Sequence, residues 1–163
     1  MKNLWSSWRH QYITGQSAEK EEGCFMCNSA KSQKLEDFSV FKTDLSIINM
    51  NKFPYNNGHL LISPIRHTDT LSSLEDEEYS DLFSLIRISE KAITELYRPQ
   101  GMNIGLNQGS AAGAGVPGHL HFHILPRWES DTNFMSTVAD IKVVSEAMDI
   151  GKENLREWFR KNA

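Results

Sequence analysis

Gly118-His119-Leu120-His121-Phe122-His123-Ile124-Leu125-Pro126-Arg127 is the stretch that decides the fold. Its histidines alternate with apolar residues. Successive side chains of a β-strand point to opposite faces. A strand here would line one face with His119, His121 and His123 and pack Leu120, Phe122 and Ile124 into a core behind them. A helix would spread the same rings around its cylinder, a poor arrangement for a site. Half of the 6 histidines in 163 residues fall in this one stretch. Solvent-facing strand positions usually carry Thr, Lys or Glu, so the alternation predicts a site more than an ordinary half-buried strand.

Before the histidines comes a Gly- and Ala-rich loop, residues 109–118, and before that an expected strand over 102–107. Small residues let backbone N–H groups approach a phosphate closely, and they also make plain connectors. Further upstream, Tyr79, Leu82, Phe83, Ile86, Ile93 and Leu96 form an apolar stripe at helical spacing, which predicts the main helix over 74–97. Ser72 or Ser73 can cap it, and Glu75-Asp76-Glu77-Glu78 suits the positive end of its dipole. Pro99 and Gly101 end it. His59-Leu60-Leu61-Ile62-Ser63 reads as a buried strand closed by Pro64. The Asn56-Asn57-Gly58 turn precedes it, and His59 reads as a satisfied core histidine. Residues 38–42 and 45–50 read as a hairpin around Thr43-Asp44. Residues 15–37 are polar and lack periodicity, so a loop is expected there. Trp5, Trp8 and Tyr12 share one face of a short helix. A closing helix is expected over 152–160, with Leu155, Trp158 and Phe159 as its apolar face. Strand runs split by one long helix predict an α+β fold with an antiparallel sheet.

Composition narrows the class. A chain of 163 residues suits one domain with a single core. Hydrophobic content of 39% and charge of 23% suit a soluble globular protein. A net charge of −4 lacks the basic footprint of a nucleic-acid binder, so no nucleic-acid partner is expected. No apolar run reaches the ~20 residues that span a bilayer, and the start Met1-Lys2-Asn3-Leu4-Trp5 lacks a signal peptide's apolar region. No membrane partner and a cytoplasmic location are the expectation. Cys24 and Cys27 should then form no stable disulfide. Their CxxC spacing fits redox chemistry, metal binding or chance.

The histidine stretch, with its trailing Pro126-Arg127-Trp128, resembles the His-apolar-His-apolar-His signature of the histidine triad (HIT) superfamily of nucleotidyl hydrolases and transferases. Other segments look like the branch that includes bacterial diadenosine tetraphosphate phosphorylases (ATP adenylyltransferases). They are Asn51-Lys52-Phe53-Pro54-Tyr55-Asn56-Asn57-Gly58-His59-Leu60, Gly105-Leu106-Asn107-Gln108-Gly109, Asn133-Phe134-Met135, and the opening Leu4-Trp5…Trp8-Arg9…Tyr12-Ile13. The resemblance implies a HIT-like fold over 1–163 as a single domain. An N-terminal arm, 1–37, carries the CxxC, 38–128 form the core, and 129–163 a C-terminal extension. It also implies a homodimer in which two sheets join.

For the site, the resemblance puts the nucleophile at His121. His123 would hydrogen-bond the phosphate oxygens or the leaving group, and His119 would orient His121 or bind metal. The residues alone do not rank the three. The resemblance gives the phosphates to Asn107 and the ribose hydroxyls to Asn51, which also reads as a turn residue. Gln108, Ser110, Gly113, Ala114 and Gly115 are further nucleotide-binding candidates. One extra residue before the histidines sets this loop apart from the family's Gly-Gly-Gln type. Trp128 could cover the nucleotide, and Arg127 could serve a phosphate or a salt bridge. Zinc-bearing family members look similar in having a CxxC, a histidine after the central strand and the first triad histidine. Cys24, Cys27, His67 and His119 are therefore the expected ligands of a closed structural zinc site. A substrate-bound Mg²⁺ is compatible with this chemistry but has no visible ligand set.

The leading expectation is phosphorolysis of diadenosine tetraphosphate to ADP and ATP through a nucleotidyl-histidine. Its partners are diadenosine polyphosphates, AMP, ADP, ATP and inorganic phosphate. The alternatives are a hydrolase releasing AMP from dinucleoside polyphosphates or phosphoramidates, and a non-catalytic nucleotide-binding protein.

Overall fold

A computed structural model describes residues 23–31, 38–129, 131 and 146–163. The Trp5, Trp8 and Tyr12 face and the Asn133-Phe134-Met135 segment lie outside them. The elements are α1 (Phe25–Lys31), β1 (Ser39–Lys42), β2 (Ser46–Met50), β3 (Leu60–Pro64), α2 (Asp76–Tyr97), β4 (Gly101–Leu106), β5 (Phe122–Arg127) and α3 (Met148–Asn162), with short 3₁₀ turns at Leu71–Ser73 and Ser110–Ala112. The strands form one sheet in the order β1-β2-β3-β5-β4, and every neighbouring pair is antiparallel. The architecture is the expected α+β.

Alternation along the strands divides the sheet's faces. Ile48, Met50, Leu60, Ile62, Phe122 and Ile124 join Leu82, Leu85, Ile86, Ala92 and Ile93 of α2, and Leu155, Trp158 and Phe159 of α3, in one buried cluster. The opposite face is left for polar chemistry, and α1 covers part of it. There Met26 is fully buried, and its sulfur lies 3.9 Å from the Asn49 amide nitrogen.

Several boundaries differ from expectation. Residues 25–31 form a helix where a loop was expected. A single buried anchor, Met26, supports it, too short a signal for periodicity to register. Helix α2 is capped by Glu75 and not by Ser72 or Ser73. Glu75 and Glu78 form a reciprocal capping box in which the Glu78 carboxylate accepts the Glu75 N–H at 3.0 Å. Tyr79, Phe83 and Leu96 were expected on the apolar stripe, yet they are exposed. Tyr79 packs on Phe83 with centroids 4.5 Å apart, and Phe83 meets Phe122 at 5.5 Å. Helix α3 is longer than expected at both ends.

One glycine is required where the chain turns into β3. Gly58 has φ +70°, and a Cβ there would lie 3.0 Å from a Tyr97 ring carbon and 3.1 Å from Ile93 Cδ1. This tight approach to α2 delivers His59 to the face opposite the helices.

Candidate active site and metal centre

The pairing of β3 with β5 builds the site. Leu60 faces Ile124, Leu61 faces His123 and Ile62 faces Phe122. With Phe122 and Ile124 in the core, His123 is turned to the other face. The strand starts later than expected, at Phe122 and not at residue 119. Residues 119–121 enter as irregular chain held elsewhere: His119 N–H donates to Val116 O at 3.2 Å and Leu120 N–H to Thr68 O at 2.6 Å. The three histidines therefore do not line one open face together. His119 and His121 are buried and His123 is half-buried.

Backbone groups fix the tautomers, because a carbonyl can only accept and an N–H can only donate. His121 Nδ1 lies 2.8 Å from His119 O, so it carries the proton and leaves the Nε2 lone pair bare. His119 Nε2 lies 2.9 Å from Pro64 O, so its Nδ1 carries the lone pair. His59 was read from the sequence as a core histidine. It is fully buried, yet it belongs to this cluster. Its Nδ1 accepts the Tyr55 N–H at 3.1 Å and lies 3.2 Å from Asn51 Nδ2. A neutral His59 must then hold its proton on Nε2, which reaches His123 Nδ1 at 2.9 Å. His123 is left with an N–H at Nε2, and its ring centroid is 5.0 Å from that of His121. The result is a bare nitrogen on His121 beside a donor on His123, an arrangement with the chemistry for nucleophilic attack next to a hydrogen-bond donor. Finding His59 in the sequence would have required the strand pairing, which carries no sequence signal of its own.

The expected metal ligands come together. The donor atoms of Cys24, Cys27, His67 and His119 all lie within 4.8 Å of one another. Cys24 Sγ is 3.3 Å from His119 Nδ1, and Cys27 Sγ is 3.2 Å from His67 Nδ1 and 3.5 Å from His119 Nδ1. A tetrahedral zinc with its usual bond lengths separates sulfur from nitrogen by about 3.6 Å. The cluster is close to that spacing, and His119 has the outer hydrogen bond typical of a metal-bound imidazole. Burial lowers the His119 pKa; the Pro64 carbonyl opposes this, and His67 and His121 add to it. Burial and the neighbouring Cys24 raise the Cys27 thiol, while Lys31 pulls it down.

The remaining candidates divide. Asn51 Oδ1 accepts the Phe53 N–H at 2.9 Å, a turn contact, while its amide nitrogen faces His59. The β4–β5 register runs Gly105 to His123 and ends with Leu106 opposite Phe122, and Asn107 follows directly as an exposed residue. Gln108 Oε1 accepts the Leu71 N–H at 3.2 Å. Ser110 opens the 3₁₀ turn that Gly113 closes in a left-handed conformation, followed by Ala114 and Gly115. Arg127 makes a salt bridge: its Nε is 2.5 Å from Asp131 Oδ2, and its Nη1 is 3.0 Å from Asn103 Oδ1. Trp128 is half-buried just beyond β5.

Burial, helped by the neighbouring His121, pushes His123 down to about 4. An unfolded histidine titrates near 6.5. The unfolded chain therefore binds this proton first. The stability from a neutral His123 is complete above pH ~6.5 and is lost as the pH falls toward ~4, by at most about 3 kcal/mol and less in proportion to its solvent screening. Urea unfolding of the wild type should weaken by that amount over this window relative to His123→Asn. Parallel curves for the two chains would contradict the assignment.

Comparison with known proteins places this geometry. The family described as HIT domain matches residues 32–130. A Mycobacterium tuberculosis protein named AP-4-A phosphorylase is 29% identical over 168 residues, covering 99% of this chain and 86% of that protein. A Schizosaccharomyces pombe protein named bis(5'-nucleosyl)-tetraphosphatase [asymmetrical] is 36% identical over 91 residues, covering 56% of this chain and 50% of that one. The crystal structure of a Zn-bound histidine triad family protein from Mycobacterium smegmatis superimposes with a TM-score of 0.68 at 21% identity, covering 85% of this chain and 94% of that one. The chain belongs to the HIT domain family and has its fold, as the alternating histidines implied.

Proposed function

We propose that this chain cleaves diadenosine tetraphosphate by phosphorolysis. The observation that carries the reading is the His121 Nδ1–H bond to the His119 carbonyl, which leaves Nε2 as a nucleophile. Near full-length similarity to the protein named AP-4-A phosphorylase supports it. Nε2 of His121 attacks the α-phosphorus, an N–P bond forms, and the bridging P–O bond breaks to release ATP. The Nε2–H of His123 hydrogen-bonds the departing oxygen. Inorganic phosphate then attacks the same phosphorus, the N–P bond breaks and ADP leaves. Asn107 contributes a neutral donor to the phosphates, and the Ser110–Gly115 loop contributes backbone N–H groups. Trp128 covers the nucleotide. Positioning and charge stabilisation supply most of the rate. Hydrolysis is the second reading, favoured by the match to the protein named tetraphosphatase; water would replace phosphate and AMP would replace ADP.

Incubation with diadenosine tetraphosphate, with and without phosphate, separates the two. ADP plus ATP formed only with phosphate is the expected result, and AMP plus ATP in both conditions would move the reading to hydrolysis. His121→Asn should abolish turnover and keep nucleotide binding; unchanged turnover would remove His121 from its role.

Cys24, Cys27, His67 and His119 would hold a zinc ion, which would brace the segment carrying His119 with no open position for water. Purified protein should contain about one zinc per chain, and a chelator should lower its melting temperature. Well under one zinc with an unchanged melting temperature argues against the site. Two reduced thiols suit a cytoplasmic location.

We also propose a homodimer formed along β4. Gly101, Asn103, Ile104 and Gly105 of that strand are exposed, and so are Tyr79 and Phe83 of α2. Sedimentation at twice the chain mass is the expected result, and a monomer at micromolar concentration would contradict it.

A further inference from the structure

We propose that Arg66 and Thr68 are positioning residues that hold the peptide group between His119 and Leu120, whose carbonyl sets the tautomer of His121, an inference that rests on the nucleophilic role of His121 given above. That peptide group is held from both sides. Its C=O accepts the His121 Nδ1–H at 2.8 Å, and its N–H, on Leu120, donates to Thr68 O at 2.6 Å. A planar trans peptide points its N–H and C=O in opposite directions. Fixing the N–H on Thr68 therefore aims the C=O away from Thr68, at the His121 ring. Hydrogen bonds in a chain also polarise one another, so donation to Thr68 makes the His119 carbonyl a stronger acceptor.

Thr68 is buried in irregular chain between β3 and the 3₁₀ turn at Leu71–Ser73, and side chains hold it there. Its hydroxyl bonds that of Ser73. Ser73 spends its own hydrogen on Thr70 O at 2.8 Å, so Thr68 is the donor. Arg66 fastens the other end of this segment. Its Nε and Nη2 donate to the two carboxylate oxygens of Glu78 at 2.8 and 2.6 Å, and Nη2 also donates to Ser73 O at 2.6 Å. Glu78 is fixed in turn by the capping box at the start of α2. The Arg66 hydrogen bonds hold the Glu78 carboxyl below the usual carboxylate range, against the effect of burial, so the clamp stays charged at neutral pH. The Arg66 side chain is 46% exposed. Such half-exposed ion pairs add little to stability, so removing this one tests position more than folding.

The test compares Arg66→Met and Thr68→Val with the wild type and with Thr68→Ser, which keeps the hydroxyl. Two readouts are taken on each chain as purified. One is kcat and KM for diadenosine tetraphosphate with phosphate. The other is the ¹H–¹⁵N spectrum of the histidine rings at neutral pH, with the His121 signals identified by their loss in His121→Asn. The wild type should show His121 protonated at Nδ1 alone. Arg66→Met and Thr68→Val should add the Nε2–H form and lower kcat by about fivefold, the weight of one neutral hydrogen bond, with KM unchanged. Thr68→Ser should match the wild type. A purely structural role would lower the melting temperature and leave the tautomer alone. A single Nδ1–H tautomer in the folded variants overturns the proposal, and so does unchanged kcat. Zinc content is measured alongside, and a tautomer change seen only where zinc is lost overturns it too.

The two readings fail separately. Phosphorolysis by the wild type with an unshifted tautomer in the variants removes the positioning role alone. A shifted tautomer in a chain without turnover removes the reaction alone. An Nε2–H on His121 of the wild type removes both.

Discussion

The antiparallel pairing of β3 with β5 is the constraint on which the rest depends. Only Leu60 to Ile62 and Phe122 to Ile124 take part, yet these six residues separate a dry face from a chemical one. Leu60, Ile62, Phe122 and Ile124 lie under α2 in the buried cluster. His123 and, one residue before β3, His59 are forced to the opposite side. A one-residue slip would turn the imidazoles inward and the apolar side chains of Leu60, Ile62, Phe122 and Ile124 outward, so burial of the apolar face specifies the register of the site. Gly58 eases this turn, because a Cβ there would crowd the Tyr97 ring and its φ of +70° suits glycine.

On that face the main chain sets the chemistry. Four neutral histidines, His59, His119, His121 and His123, have many tautomer combinations, and only a minority leave a bare nitrogen on His121 beside a donor on His123. The His119 carbonyl, the Pro64 carbonyl and the Tyr55 N–H remove this freedom, since none of these groups can reverse its hydrogen-bonding role. Burial adds a second bias by keeping His123 neutral and therefore able to donate from Nε2 alone. No buried carboxylate is needed to orient the rings, and among the described residues none contacts them.

This hierarchy explains what the sequence could and could not reveal. The alternation of Phe122 and Ile124 with histidines is a local strand signal, and strand runs split by one long helix were enough for an α+β fold. The α2 stripe was equally local, although periodicity alone could not distinguish Leu82, which is buried, from Tyr79 and Phe83, which are exposed. His59 was illegible for another reason. Its significance comes from a contact across 64 positions, and nothing near it in the chain marks a partner in β5. Arg127 was ambiguous because phosphate and carboxylate attract a guanidinium alike; Asp131, four residues on, decides the matter.

His119 also shows why equal spacing need not mean equal duty. Its ring lies 5.0 Å from that of His67 and faces the two thiols, whereas the rings of His121 and His123 face each other. The contribution of His119 to His121 is a backbone carbonyl, which any residue would supply. That leaves the His119 side chain available for metal binding. A metal on this ring would restrain the carbonyl that holds the His121 Nδ1–H. The alternation is thus read twice, through side chains at His121 and His123 and through main chain and the Cys/His cluster at His119.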